Sequence, residues 1–109
     1  QLRVLCFHDF AQSGLVFERQ LDAALSTDLD MRSWLSLSYL EAPVLLSVIE
    51  APVEAQTACV LQGGVPRAWY RYERPGGPLE EWPLFEEAIQ FAIAHVAETG
   101  PWDGLLGFG

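Results

Sequence analysis

Residues 2–8, Leu-Arg-Val-Leu-Cys-Phe-His, form an almost unbroken apolar run near the start of the chain. A strand covered on both faces needs such a run, and the central strands of parallel sheets are covered in this way. We therefore predict a buried central strand here. Parallel strands are joined by crossover connections that are usually helical, so the same run favours an α/β fold.

The remaining periodic segments supply the other elements of that fold. A helix is predicted from Ser13 or Gly14 to about Leu25, and the polar residues 26–30 form a connection. Residues 34–40 alternate between apolar residues and serines, as a strand does. A second helix is predicted over residues 83–98, before a last strand over residues 105–108. The apolar stripes are Phe17, Leu21, Ala24 and Leu25 on the first helix, and Phe85, Ile89, Ala92, Ile93 and Val96 on the second.

The segment between these two halves has a weak secondary-structure signal. Residues 41–78 contain apolar runs without a clear period, and glycines and prolines punctuate them as turns. We predict that this segment lacks firm structure, and that residues 44–78 form a long irregular insert. Long irregular segments in compact domains often serve as lids or binding elements.

Composition excludes several classes of function. The chain has 109 residues, 50% of them hydrophobic, and a net charge of −9 with no lysine. Such acidity argues against binding to a nucleic-acid backbone, and the scattered acids are read either as a solvated surface or as a docking face for a basic partner. No apolar run approaches the ~18 residues of a membrane span, and no cysteine spacing resembles a zinc site. Two cysteines without a secretory segment favour an intracellular setting, cytoplasmic or within an organelle.

Aromatic residues interleave with arginines in the part of the insert that follows the glycines at positions 63 and 64. The aromatic residues include Trp69 and Tyr70, and Arg67 and Arg71 flank them. Such a segment can line an acyl pocket or stack a nucleobase, although the acidity disfavours the second. The alternative is that Trp69 and Tyr70 fasten the loop to the core while the arginines extend outward.

Four stretches match, in order and spacing, the motifs of one enzyme family. Residues 2–13 resemble its opening L-R-x-L-C-L-H-G-x-x-Q-S, and residues 39–43 resemble a strand that ends in D-A-P. Residues 67–70 resemble R-x-W-W, and residues 100–108 resemble G-P-F-D-G-L-L-G-F, which in the family continues into S-Q-G. On these motifs the chain resembles the FSH-type serine hydrolases of the α/β-hydrolase superfamily.

The resemblance implies a fold and a site. Residues 1–109 would be the N-terminal half of one α/β-hydrolase-like domain, with three parallel strands, flanking helices and the first strand in the middle. The loop of His8, Asp9 and Phe10 would supply one backbone N–H of the oxyanion hole, at Asp9 or Phe10. Trp69 and Tyr70 are pocket candidates. The reaction would be cleavage of a small ester or thioester through an acyl-enzyme, without metal or cofactor.

Two departures from the family pattern bear on activity. Asp9 replaces a glycine in the loop, where a carboxylate pointing inward would repel an oxyanion, and Gly109 replaces the nucleophilic serine of the elbow. The family's later Asp and His would lie beyond residue 109, and neither His8 nor His95 matches the catalytic histidine. We therefore expect the chain to be inactive alone.

Three alternatives follow for function and partners. The parent protein is a serine hydrolase, or it is a non-catalytic hydrolase-like subunit that serves as an interaction element of a complex. A nucleotide-binding module is disfavoured, because the loop after the first strand is a poor phosphate cradle and Asp9 opposes a phosphate. In either of the first two cases the last strand exposes an edge, at which we expect the rest of the domain or another chain to pack. That edge comprises Leu105, Leu106, Gly107 and Phe108.

Overall fold

The structure, a computed structural model, describes residues 1–46, 53–70 and 84–107, with only the backbone for residues 53–56. Gly109 and Phe108 therefore lie outside the described residues, as do parts of the insert. In chain order the elements are β1 (Leu2–Phe7), α1 (Gly14–Leu25), α2 (Leu29–Trp34), β2 (Leu35–Leu40), β3 (Val44–Leu45), α3 (Val53–Leu61), β4 (Arg67–Ala68), α4 (Phe85–Thr99) and β5 (Gly104–Gly107).

The main sheet has three parallel strands in the order β2-β1-β5. The predicted α/β fold with β1 in the middle is confirmed. Leu5 pairs in register with Ser38 on one side and with Leu105 on the other. Because all three strands run in the same direction, their carboxyl ends meet at one edge of the sheet.

The middle of β1 is covered on both faces. Leu5 and Cys6 are adjacent, so their side chains point to opposite faces, and both are 0% exposed. Leu2, at the amino end of the strand, is half-exposed. The apolar run is thus explained by burial at the centre of the strand rather than along its full length.

Helix α1 begins as predicted, but it buries fewer residues than the predicted apolar stripe contains. The hydroxyl of Ser13 accepts a hydrogen bond from the N–H of Val16 at 3.2 Å, which caps the first turn. Val16 and Phe17 are buried, whereas Ala24 at the far end is exposed. The sheet therefore covers mainly the first turns of the predicted stripe.

The predicted polar connection over residues 26–30 is partly wrong, since α2 begins within it. Asp28 is the N-cap of this short helix, and its Oδ1 accepts from the N–H of Met31 at 2.9 Å. Asp30 in the first turn and Arg32 in the last both suit the helix dipole. The helix has no buried residue, so it leaves no apolar stripe for a periodicity argument to find.

The prediction that residues 41–78 lack firm structure is wrong for the described part of that segment. Strands β3 and β4 pair antiparallel, and α3 runs between them. Helix α3 ends at Leu61, and Gly63 in the turn that follows has a φ of +83°, the left-handed conformation common after a helix C-terminus. At Gly64 an added Cβ would lie 2.6 Å from both Ser13 Oγ and Val16 Cγ2, so the absence of a side chain lets this turn pack against α1.

The predicted buried stripe on α4 is also wrong. Of its members, Ile89 is 38% exposed and Ile93 is 56% exposed, and Ala88 is the buried residue of the helix. The other three members, Phe85, Ala92 and Val96, are half-buried, so none of the five is fully covered by the described elements. The helix itself begins at Phe85, and Pro83, predicted as its first residue, lies outside the described residues.

Candidate functional site

A cleft of about 300 Å³ lies at the carboxyl ends of β1 and β5. It brings together the loop after β1, the residues after β4 and the end of β5. The residues that line it are Phe7, His8, Asp9, Phe10, Trp69, Tyr70 and Gly107. The five described residues named as site candidates from the sequence thus share one cavity, while Gly109 lies outside the described residues.

The loop after β1 is held in an unusual backbone conformation. Ala11 is fully buried and has a φ of +59°, a region that a residue with a Cβ seldom occupies. Next to it, the Gln12 N–H donates to the Asp9 carbonyl at 3.2 Å, and the Gln12 carbonyl accepts from the Arg67 N–H at 2.9 Å. The turn and its attachment to β4 together hold the loop whose residues 8–10 line the cleft.

His8 is a structural histidine whose two ring nitrogens are both engaged. It is 2% exposed, and its Nε2 accepts the Ala42 N–H at 3.0 Å. Because Nε2 accepts, the proton is on Nδ1, which donates to the Asp9 carbonyl at 2.8 Å. Burial lowers the pKa of this imidazole, in agreement with a neutral ring. His8 is therefore not placed to shuttle a proton.

Trp69 both fastens the loop and forms a wall of the cleft. Its indole N–H donates to the His8 carbonyl at 2.8 Å. Its ring stacks on the His8 imidazole with centroids 5.0 Å apart, and the Phe7 ring lies 5.4 Å away. The two interpretations of this aromatic residue, an anchor or a pocket wall, are thus compatible. Tyr70 contacts Phe85 edge to face at 5.6 Å, which connects the cleft to the start of α4.

The backbone N–H that the resemblance implies as an oxyanion donor has a partner within the loop. Asp9 Oδ1 accepts the Phe10 N–H at 2.7 Å. This donor is therefore already engaged by a carboxylate in the structure.

Two charged residues that sequence reasoning left without a role hold the neighbouring elements together. Glu41 Oε1 accepts the Gly14 N–H at 2.8 Å, at the positive end of the α1 dipole. Arg67 lies 3.5 Å from the other Glu41 oxygen and donates to the Ala42 carbonyl at 3.0 Å. In the sequence, Glu41 and Arg67 are visible only as an acid after one strand and a base before the Trp69-Tyr70 pair. Their pairing depends on the tertiary fold, so the sequence alone does not predict it.

The described residues supply neither a nucleophile nor a metal site at the cleft. No serine, threonine or cysteine is among those that line it. The free thiols of Cys6 and Cys59 are buried elsewhere, and burial raises the pKa of both. Within the described ranges no group of histidine, cysteine and acidic side chains could hold a metal, and no helix is long and apolar enough to cross a membrane.

The parallel sheet and its helices define an α/β protein. The cleft lies at the carboxyl ends of the strands, where proteins of this class usually bind their ligands. The family model described as "Serine hydrolase (FSH1)" matches residues 1–109. The chain therefore belongs to the FSH1 serine hydrolase family. A search of curated proteins gave no match.

Proposed function

We propose that the cleft is the acyl-binding part of a serine hydrolase site for ester or thioester bonds. One observation carries the proposal: the loop after β1, the Trp69-Tyr70 pair and Gly107 at the end of β5 surround the same cavity. Membership in the FSH1 family supports the hydrolase relationship. The predominantly aromatic lining suits an apolar acyl group.

The proposed roles follow from what each group can do. In an acyl-enzyme mechanism a serine attacks, a histidine transfers its proton, an acid orients the histidine, and backbone N–H groups stabilise the oxyanion. The cleft contributes its aromatic walls, and the Phe10 N–H can serve an oxyanion only after the Asp9 carboxylate that now accepts from it moves away. His8 keeps the loop in place through Ala42 and Asp9. Gly109 has no hydroxyl, so we propose that residues 1–109 are catalytically inactive by themselves.

A fluorophosphonate probe, with the labelled residue mapped by mass spectrometry, tests this proposal. The polypeptide at its natural length is compared with its Gly109→Ser variant and with Gly109→Ser combined with Trp69→Ala. We expect no labelling at residue 109 in the parent, a gain in Gly109→Ser, and weaker labelling when the Trp69 wall is removed. A folded Gly109→Ser protein that stays unlabelled would contradict the hydrolase site.

A second function, a non-catalytic hydrolase-like subunit, is favoured by two observations. The Asp9 carboxylate occupies the Phe10 N–H. In the described part of the chain β5 pairs only with β1, and Leu105 is 63% exposed. We propose that the free edge of β5 receives a further strand, from the rest of the hydrolase domain or from another chain.

Amide hydrogen exchange and native mass spectrometry test the β5 edge together. A strand bound at the edge protects amides of Leu105 or Leu106, and the mass identifies whether the strand belongs to the same polypeptide. The amide of Leu5, in the middle of β1, is the internal control for a protected strand. Because adjacent amides of a strand point to opposite sides, one of the two leucine amides faces β1 and the other faces the edge; a monomer in which the edge-facing amide exchanges rapidly would overturn the proposed pairing.

A further inference from the structure

Asp9 lines the cleft, and hydrogen bonds hold both its main chain and its carboxylate. The backbone carbonyl of Asp9 accepts two hydrogen bonds, from His8 Nδ1–H at 2.8 Å and from the Gln12 N–H at 3.2 Å. Its Oδ1 accepts a third, from the Phe10 N–H at 2.7 Å. Main chain and side chain are thus both held, so the negative charge has a defined place in the cavity.

The other described residues that line the cleft carry no compensating charge. Four are aromatic, Gly107 has no side chain, and His8 is neutral because its Nε2 accepts the Ala42 N–H. The guanidinium of Arg67, in the strand just before Trp69, is directed to Glu41 and to the Ala42 carbonyl. A carboxylate among aromatic rings is the lining that proteins use for organic cations, which gain both from the charge and from the ring faces.

We propose that the cleft binds a ligand through an alkylammonium group and that Asp9 sets this charge preference. The same carboxylate excludes a ligand carboxylate from the Phe10 N–H, because the two anions would compete for one donor. For the proposed hydrolase this means an ester or thioester substrate that carries a cationic group. The inference rests on the proposed function for that substrate, whereas the charge preference concerns binding and needs no turnover.

Three probes of nearly identical shape isolate the effect of charge. Choline is cationic, 3,3-dimethylbutan-1-ol is neutral, and 3,3-dimethylbutanoate is anionic. Binding is followed by NMR at the indole N–H of Trp69 and the amide of Phe10, with the wild-type protein, Asp9→Asn and Asp30→Asn. Asp9→Asn removes the charge while keeping an oxygen for the Phe10 N–H. Asp30→Asn removes one exposed negative charge on α2, away from the cleft, and controls for the net charge.

We expect the wild-type protein to bind choline at least about fivefold more tightly than the neutral alcohol, with the carboxylate weakest, since opposite charges about 4 Å apart gain roughly this much even in a watery site. Asp9→Asn should remove the preference for choline, and Asp30→Asn should preserve it. The ranking in the wild-type protein needs no variant to fold. Absence of a saturable choline shift, tighter binding of the carboxylate, or an unchanged ranking in Asp9→Asn would each overturn the proposal.

This test fails independently of the hydrolase proposal. A protein that ranks the probes as expected but leaves Gly109→Ser unlabelled has the charge-selective cleft without the hydrolase site. A labelled Gly109→Ser protein that ignores choline has the hydrolase site without the charge preference.

Discussion

Two parallel pairs of strands share β1, and they differ in how completely they are packed. On one side, β1 and β2 pair over six positions and α1 covers them with the buried residues Val16 and Phe17. On the other, β1 and β5 pair over four positions, and Leu105 and Leu106 remain exposed. Helix α4, which precedes β5, likewise exposes Ile93. Backbone pairing alone therefore does not make a strand part of the core.

The two sides are also held by different interactions. Helix α1 starts with a buried cap at Ser13 and a carboxylate at Glu41. The N-cap position of α4 is Leu84, which has a φ of +69° and supplies no side-chain cap. The end of α4 is instead tied to β1 by Arg3, whose guanidinium donates to the Thr99 carbonyl at 3.1 Å and lies 4.4 Å from the centroid of the Trp102 ring. Apolar burial dominates the first region, and polar contacts at the surface dominate the second.

The largest expected effect comes from truncating the same residue type on two paired strands. Leu5 and Leu105 are register partners, but Leu5 is 0% exposed and Leu105 is 63% exposed. Leu5→Ala should lower the free energy of unfolding by about 3 kcal/mol, because it leaves a cavity in a closed core. Leu105→Ala should lower it by about 0.5 kcal/mol or less. Urea unfolding followed by circular dichroism measures both.

Similar losses for the two leucine variants would contradict the comparison. That result would mean that β5 is as well covered as β1 in solution. The addition of a strand-donating partner should enlarge the loss for Leu105→Ala and leave that for Leu5→Ala nearly unchanged.

The next largest effect is expected at the start of α1. Ser13 is 3% exposed, and Ser13→Ala would leave the buried Val16 N–H without its acceptor, at a cost of about 1.5 kcal/mol. Ser26 is the matched control, since it lies at the other end of α1 and its exposed hydroxyl donates to the Ala23 carbonyl at 2.8 Å. We expect Ser26→Ala to cost less than about 0.5 kcal/mol by the same urea assay. Equal effects would show that the cap is no more important than a surface hydroxyl.

A smaller effect is expected where Arg3 joins β1 to the end of α4. Its guanidinium donates to the Pro101 carbonyl at 2.7 Å and to the Thr99 carbonyl at 3.1 Å. Arg3→Ala should lower the free energy of unfolding by about 1 kcal/mol and accelerate exchange of the Gly100 amide. Arg32, which pairs with Asp22 at 3.3 Å on the surface of the first region, is the control, and Arg32→Ala should cost about 0.3 kcal/mol. Unchanged exchange at Gly100 in Arg3→Ala would rule out this role.

The same contrast explains which predictions from the sequence are confirmed. Residues 2–8 predict a strand buried on both faces, and the burial of Leu5 and Cys6 confirms it. A strand in the middle of a covered sheet needs apolar side chains at adjacent positions, and such a run is visible in the sequence. The apolar period of α4 predicts a buried stripe, yet a period shows which face is apolar and does not show what covers it. The sequence does not predict helix α3, because its apolar residues are not confined to one buried face. Cys59 is buried, whereas Val60 and Leu61 are exposed.

The sequence predicts which residues belong to the candidate site, but it does not predict the contacts among them. Motif order placed His8, Asp9 and Trp69 near one another. The contact between Asp9 Oδ1 and the Phe10 N–H depends on a loop whose turn at Ala11 has a positive φ, and the engagement of both His8 nitrogens depends on Ala42 after β2. Neither short-range pattern nor composition encodes these distances.

The smallest predicted effect is a pH dependence that arises from His8, at the junction of β1 and β2. The imidazole has to be neutral for Nε2 to accept the Ala42 N–H, and burial lowers its pKa below the ordinary value of about 6.5. As the pH falls below about 6.5, the unfolded chain binds a proton that the folded protein resists. The free energy of unfolding should therefore decrease from that pH downward until the folded pKa is reached, and the contribution of His8 is fully present above about 6.5.

Replacement of His8 by a ring that does not titrate separates this pH dependence from the structural role of the residue. His8→Phe should be less stable at every pH, because the Ala42 N–H and the Asp9 carbonyl lose their partner. Its free energy of unfolding should nevertheless fall less steeply than that of the wild-type protein as the pH decreases below about 6.5. Urea unfolding at a series of pH values gives both slopes. Parallel slopes would mean that other groups carry the pH dependence and that proton binding at His8 is not coupled to the junction of β1 and β2.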